Sequence, residues 1–305
     1  MLILGKYRNA LFLILAVLFW AGNYIAGKYV VTELTPLQLT FVRWFIAIFL
    51  LLPIAQWRER PDWKQVLIEW KKLLALAILG IIGYNFVLYE ALRFTTPLNA
   101  ALINSINPVT IFLFSSLLLH ERISPINILG LLISLTGVLV VLTDGQLQQI
   151  LRIDYNIGDL LMLIAILSWT FYTLIGRKMH GIPPISALTV SSLFGLILLF
   201  PFAMLSGFPP ALTNGTWGGI LYIALFPSVG SFLLWNMAVL KIQANQAGVY
   251  LNLLPVFTAM LSMLTGNTVT FVQIVGGFLV FAGVYLTTQK KANPAAACRD
   301  NPMEG

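Results

Sequence analysis

Long apolar runs alternate with short polar joints along the whole chain. Windows of about 20 mainly apolar residues, the length needed to cross roughly 30 Å of hydrocarbon, recur near residues 9–30, 36–56, 73–93, 97–118, 125–143, 157–178, 184–206, 217–240, 245–266 and 270–288. The joints carry Pro, Gly and Thr, as in Thr95-Thr96-Pro97 and Gly181-Ile182-Pro183-Pro184. Such residues stop one helix and start the next. A membrane barrel would instead alternate apolar and polar positions over about ten residues per strand. The pattern predicts an all-α integral membrane protein with ten transmembrane helices. The first run, Asn9 to Val30, outlasts the roughly 7–15 residues of a signal-peptide core, so it is expected to be a retained span.

Composition agrees with the pattern and removes several function classes. Of 305 residues, 59% are hydrophobic and 10% charged, against about 25% charged in soluble domains. Ten spans leave roughly 100 residues for joints and tails, too few for a separate soluble domain. The net charge of +7 reads as orientation rather than nucleic-acid affinity. With a cytoplasmic N-terminus, 14 of the 18 Lys and Arg residues fall on inside segments and three, Lys28, Arg93 and Arg152, fall outside; Arg43 lies within a span. That asymmetry places both termini in the cytoplasm of an inner, plasma-membrane protein. The longest joint mixes Trp57, Trp63 and Trp70 with Arg58, Arg60 and Lys64, which suits an interfacial segment on the cytoplasmic leaflet. No nucleic-acid partner is expected; the partners are the bilayer and a small-molecule substrate, bound by a monomeric chain.

Other chemistry is excluded residue by residue. Cys298 is the sole cysteine and sits in a polar tail, residues 292–305, expected to be disordered; neither a disulfide framework nor a thiolate metal site is possible. Gly22 to Lys28 imitates a phosphate-binding loop, but Tyr29 follows where Ser or Thr should hold the metal. His120 and His180 lack clustered carboxylates, so no metal site, nucleophilic triad or cofactor is expected. Asn214-Gly215-Thr216 matches a glycosylation sequon on an outside joint.

An internal repeat organises the chain. Ala16 to Trp20 with Gly27-Lys28 matches Ala165 to Trp169 with Gly176-Arg177 at an offset of 149. Pro36 and Pro53 match Pro184 and Pro201 at 148, Ala91 and Pro108 match Ala238 and Pro255 at 147, and Gly130 and Gly137 match Gly276 and Gly283 at 146. The chain thus divides into five-helix repeats, residues 1–146 and 147–291. Five crossings are odd, so the second copy enters the membrane in the opposite sense, giving inverted-topology repeats of the kind that support alternating access.

These landmarks, with Ala91-Leu92-Arg93-Phe94-Thr95-Thr96, Asn107-Pro108-Val109 and His120-Glu121-Arg122-Ile123, resemble the EamA family of the drug/metabolite transporter superfamily over about residues 9–288. The second half carries the resemblance more loosely, through Trp169, Ala238-Val239-Leu240-Lys241 and Leu254-Pro255-Val256; Gly266-Asn267-Thr268 stands where the first half has Glu121. The resemblance implies a ten-helix inverted-repeat carrier of amino acids and other small metabolites, often outward.

Polar residues within the spans mark the candidate site, because charge and hydrogen-bonding capacity are costly in hydrocarbon. Arg43 lies about 10 Å below the outer end of its span, at 1.5 Å per residue. It can snorkel outward, pair with Glu90, or hold a substrate carboxylate through its planar fork. Trp20, Asn23, Tyr24, Tyr84, Asn85, Tyr89, Asn104, Trp169, Tyr172, Trp235, Asn236, Tyr250 and Asn252 supply aromatic surface and neutral hydrogen-bonding groups, several at i, i+3 or i, i+4 spacing on one helix face. Ordinary packing by interfacial aromatics and interhelical Asn is the competing explanation. Pro108 and Pro255 occupy matching places in spans four and nine, where a missing backbone donor makes each a candidate hinge. The expected function is secondary transport of a small organic metabolite, foremost amino-acid export. Multidrug export, a lipid-phosphate enzyme or flippase, and a channel are the alternatives. No catalytic residue is expected.

Overall fold

A computed structural model describes residues 2–121, 123–146, 156–266 and 268–288. The tail, with Cys298, and the loop position Arg152 lie outside them. The described residues are helical, without strands: α1 (Leu2–Val30), α2 (Pro36–Arg58), the short α3 (Trp63–Ile68), α4 (Trp70–Phe94), α5 (Pro97–Leu119), α6 (Pro125–Thr143), α7 (Ile157–Arg177), α8 (Pro184–Leu205), α9 (Asn214–Val239), a segmented α10 over residues 244–262, and α11 (Phe271–Thr288). Eight of these, α1, α2 and α4 to α9, are long and apolar enough to cross a membrane.

The joints start helices as their residues dictate. Thr35 precedes Pro36 and forms a capping box with Gln38, and Asn156 does the same with Asp159 at the start of α7; each box satisfies amide groups that the first turn leaves without partners. His120 and Asp144 take left-handed backbone angles where α5 and α6 end. Lys28 donates to the carbonyls of Leu92 and Thr95 at 2.7 and 3.0 Å, and Arg177 donates to Leu240 O at 3.0 Å. Both cations sit at helix C-terminal carbonyls, where positive charge is favoured.

Two helices pack more closely than side chains would allow. α6 and α11 run antiparallel with Gly130 against Gly283 and Gly137 against Gly276; a Cβ on Gly137 would stand 2.6 Å from Gly276 O. Small residues at this spacing let backbones approach and gain van der Waals contact that lipid does not provide. α2 and α8 are also antiparallel, and both ends are tied. Gln38 Nε2 donates to Gly207 O at 2.7 Å, while the Glu59 carboxylate accepts from the amides of Ile185 and Ser186 at 2.9 and 2.8 Å. Glu121 plays the Glu59 role at α10, accepting from the Ala244 and Asn245 amides. Glu33 accepts from the Thr213 amide and hydroxyl at 3.0 and 2.7 Å, bonds that hold its carboxyl below the ordinary carboxylate range.

Phe45, Phe49, Ile197, Phe202, Phe271 and Phe278 point outward and exposed, an apolar exterior that a water-facing surface would not tolerate on this scale. The joint between α2 and α4 carries exposed Trp57 and Trp70, stacked with Arg58 and Lys71.

Gly137→Val is expected to lower the thermal midpoint of the detergent-purified protein, since overpacking costs about 1–3 kcal/mol. Gly218→Ala, at a position open to space, is expected to leave it unchanged. Equal midpoints for the two variants would contradict the α6–α11 contact.

Candidate substrate site

Irregular backbone prepares the centre of the bundle. Residues Ala77–Tyr84 of α4 and Ala224–Ser231 of α9 are wound as π-helix, a form frequent at functional sites. The wider turn leaves carbonyls to be satisfied by side chains. Asn85 Nδ2 donates to Gly80 O at 2.6 Å and Ile81 O at 3.1 Å, and Ser228 Oγ donates to Ile223 O at 2.7 Å.

Arg43 joins the two π segments. Its Nε donates to Ser228 Oγ at 2.7 Å and its Nη1 to Asn85 Oδ1 at 2.7 Å; Nη1 also donates to the Tyr89 hydroxyl, which in turn donates to Asn23 Oδ1 at 2.7 Å. The side chain is fully buried. It neither snorkels outward nor pairs with Glu90, whose carboxylate instead holds Arg93 at 3.0 Å. The reason is direction around the helix: Asn85 and Tyr89 share one face of α4, whereas Glu90 is turned away beside Arg93 on the more exposed side. Among the described residues every partner of Arg43 is neutral, and Nη2 has none.

Aromatic rings close one side of this network. Trp20 meets Trp169 edge-on with ring centroids 4.9 Å apart, and Trp235 stands 5.5 Å from each. Phe232 packs at the middle, against Trp44 at 4.9 Å and Trp169 at 5.4 Å. Tyr84 lies 5.0 Å from Trp169 and shares a hydrogen bond with the Tyr24 hydroxyl at 3.2 Å. Tyr172 stacks on Trp169 and exchanges hydrogen bonds with Asn236. The indole nitrogens of Trp20, Trp44, Trp169 and Trp235 are buried without acceptors among the described residues.

Eleven of the fourteen residues expected from the sequence belong to this connected network. Asn104, Tyr250 and Asn252 do not join it through the bonds described: Asn104 accepts from Asn107 at 3.5 Å, Asn252 donates to Ser134 at 2.7 Å, and Tyr250 is buried in a 3-10 turn. These three mark breaks in the paired helices α5 and α10. α5 is interrupted at Ser105 and Ile106, just before Pro108, and α10 at residues 250–252, just before Pro255. Ser228, Trp44 and Phe232 also join this network, and sequence reasoning did not single them out. Ser228 directly follows Pro227 inside an apolar run, and that proline was the available signal.

The EamA-like transporter family model matches the chain twice, over residues 8–143 and 156–289. The chain belongs to that family. Among its EamA-like relatives, an uncharacterized transporter of Archaeoglobus fulgidus is 32% identical, covering 93% of this chain and 98% of its own. The uncharacterized transporter YyaM of Bacillus subtilis is 28% identical, covering 92% and 93%. A solved crystal structure superposes with a TM-score of 0.72 at 20% identity, covering 96% of this chain and 99% of that one, which shows a shared fold. With its apolar helices, this EamA-like chain is an integral membrane transporter.

Removing one hydrogen-bond partner of a buried charge leaves that charge under-satisfied and costs more than the about 1–3 kcal/mol of an unsatisfied neutral group, whereas removing the charge leaves only neutral groups short of a bond. Asn85→Leu is therefore expected to lower the thermal midpoint more than Arg43→Met. The reverse order in a melting experiment would contradict the buried network.

Proposed function

We propose that this protein is an alternating-access secondary carrier of small organic metabolites, working as an amino-acid exporter, built from two inverted five-helix repeats over residues 1–146 and 147–291. The segmented α10 and the shorter α11 complete ten crossings, and both termini face the cytoplasm. One observation carries the proposal: equivalent positions of the two halves meet at the buried site in matched but unequal pairs. Tyr89 donates to Asn23, and their counterparts Asn236 and Tyr172, 147 and 149 residues on, form the same pair with the residue types exchanged. Trp20 and its counterpart Trp169 touch each other. The π segments also lie 147 residues apart, and Arg43 bonds to Ser228 in one and to Asn85 at the end of the other.

Matched ends favour an exchange between two arrangements of similar energy, as inverted repeats permit. The ends differ in charge. Arg177 faces the Glu121 carboxylate at 3.6 Å as well as a helix end, while its counterpart Lys28 bonds to backbone carbonyls alone among the contacts described. A carboxylate that caps α10 and holds Arg177 forms a stronger tie on the proposed cytoplasmic side. Opening that side requires both contacts to release.

Purified protein in liposomes, given a panel of radiolabelled amino acids with and without a pH gradient, is expected to show saturable flux of at least one. Absence of flux under every gradient would count against amino-acid export. Pro108→Ala and Pro255→Ala fall at the paired helix breaks, and each is expected to slow transport at least about tenfold, equivalent to roughly 1.4 kcal/mol on the barrier, while leaving the thermal midpoint near wild type. Undiminished flux in the folded double variant would exclude a hinge role.

A further inference from the structure

The carrier reading leaves open which part of a solute the site recognises, and the hydrogen bonds around the site decide between charges. Arg43 carries a permanent positive charge and is fully buried, yet among the described residues no Asp or Glu bonds to it. Carboxylates of the same helices are committed elsewhere: Glu90 to Arg93 and Glu59 to the start of α8, as is Glu121 to Arg177 and the start of α10. Asp159 keeps one oxygen without a partner, but it lies ten residues before Trp169 on α7, roughly 15 Å along a helix.

Unpartnered donors gather at Arg43 and the tryptophans, beside the hydroxyl of Thr173, which can donate or accept. Arg43 Nη2 and the indole nitrogens of Trp20, Trp44, Trp169 and Trp235 are all buried N–H groups without an acceptor. Leaving such a donor unpaired in the interior is costly, and more so when it is charged. Trp20, Trp44 and Trp169 pack on Phe232, Trp235 packs on Trp20 and Trp169, and Arg43 lies over Trp44; five unpaired donors in this cluster are matched by a ligand rich in acceptors and negative in charge. The guanidinium lies 5.5 Å from the rings of both Trp44 and Tyr89, so these aromatic faces already serve one cation. A second cation placed beside them would face Arg43 across a medium of low dielectric.

We propose that the solute is a carboxylate with an apolar body, that its carboxylate binds at Arg43 Nη2 beside the indole N–H groups, and that the carboxylate, not an ammonium group, is the charge this site recognises. This rests on the carrier reading of the same site. An amino acid then enters by virtue of its carboxylate, and the corresponding carboxylic acid without the amine is an equal or better ligand.

Three solutes sharing one isobutyl body separate the charges: leucine, 4-methylpentanoate, which lacks the amine, and 3-methylbutylamine, which lacks the carboxylate. The matching benzyl set, phenylalanine, 3-phenylpropionate and 2-phenylethylamine, covers a larger body. Binding is measured by calorimetry on the full-length protein in lipid nanodiscs, and flux of the same six in liposomes. At least one acid without an amine is expected to bind as tightly as its amino acid or tighter, and its amine at least about 100-fold more weakly, equivalent to roughly 2.7 kcal/mol. Arg43→Lys is expected to weaken carboxylate binding and Arg43→Gln to abolish it, both measured on the fraction that purifies as folded protein. Amines binding as well as acids, carboxylate affinity unchanged in Arg43→Gln, or no carboxylate binding at all would overturn the proposal, and the comparison of wild-type ligands stands even where a variant fails to fold. Flux of other solutes without carboxylate binding would leave the carrier reading intact while removing this inference. Carboxylate binding without flux of any solute would do the opposite.

Discussion

A guanidinium held inside a membrane protein by neutral groups alone sets conditions on everything around it. Taking such a charge out of water costs several kcal/mol unless hydrogen bonds replace its hydration, and at Arg43 the replacements come from Ser228, Asn85 and Tyr89 on two different helices. Those helices must hold their acceptors within about 3 Å at the same time. The π-helical turns of α4 and α9 meet that condition, because each brings a polar side chain to the guanidinium while the same side chain satisfies a loosened carbonyl. Winding defects that would weaken an isolated helix are stabilised here by one shared cation.

The surrounding packing keeps this centre dry. Trp20, Trp169, Trp235 and Phe232 interlock at ring separations near 5 Å, within the range favoured for edge-to-face aromatic pairs. At the periphery the constraint is different: α6 and α11 are joined through glycine backbones, and α2 and α8 are joined at both ends by Gln38 and Glu59. Backbone-to-backbone contacts resist bending, whereas single side-chain ties at helix ends can be exchanged. Rigid pairs with exchangeable ends around a polar centre form a mechanical arrangement suited to a carrier.

Much of this architecture is legible in the order of residues alone. Hydropathy locates most helix ends within a few residues, because a span's length is imposed by the bilayer and its joints by Pro, Thr and Gly chemistry. The glycines at 130, 137, 276 and 283 are visible as repeat landmarks, and the fold adds that they face one another in pairs. Eleven of the expected site residues come together because polar and aromatic groups within a span avoid lipid and turn inward. Asn104, Tyr250 and Asn252 obey the same rule, yet they serve the breaks in α5 and α10; inward orientation alone does not say which part of the interior a side chain reaches. Phe232 leaves no trace in the pattern, since a phenylalanine in an apolar run looks like packing, and Ser228 is marked only by the proline before it.

The sequence by itself determined the membrane class, the helical segments, the duplication and the presence of one mid-span charge, all of which follow from local composition and spacing. Tertiary structure decided what that charge does. Whether Arg43 reaches outward, meets Glu90 or is enclosed by neutral partners depends on how α4 and α9 rotate and wind against α2, and π-helical winding leaves no periodic mark in residue order. Partner choice is a property of distances between helices, which the order of residues along any one of them does not contain.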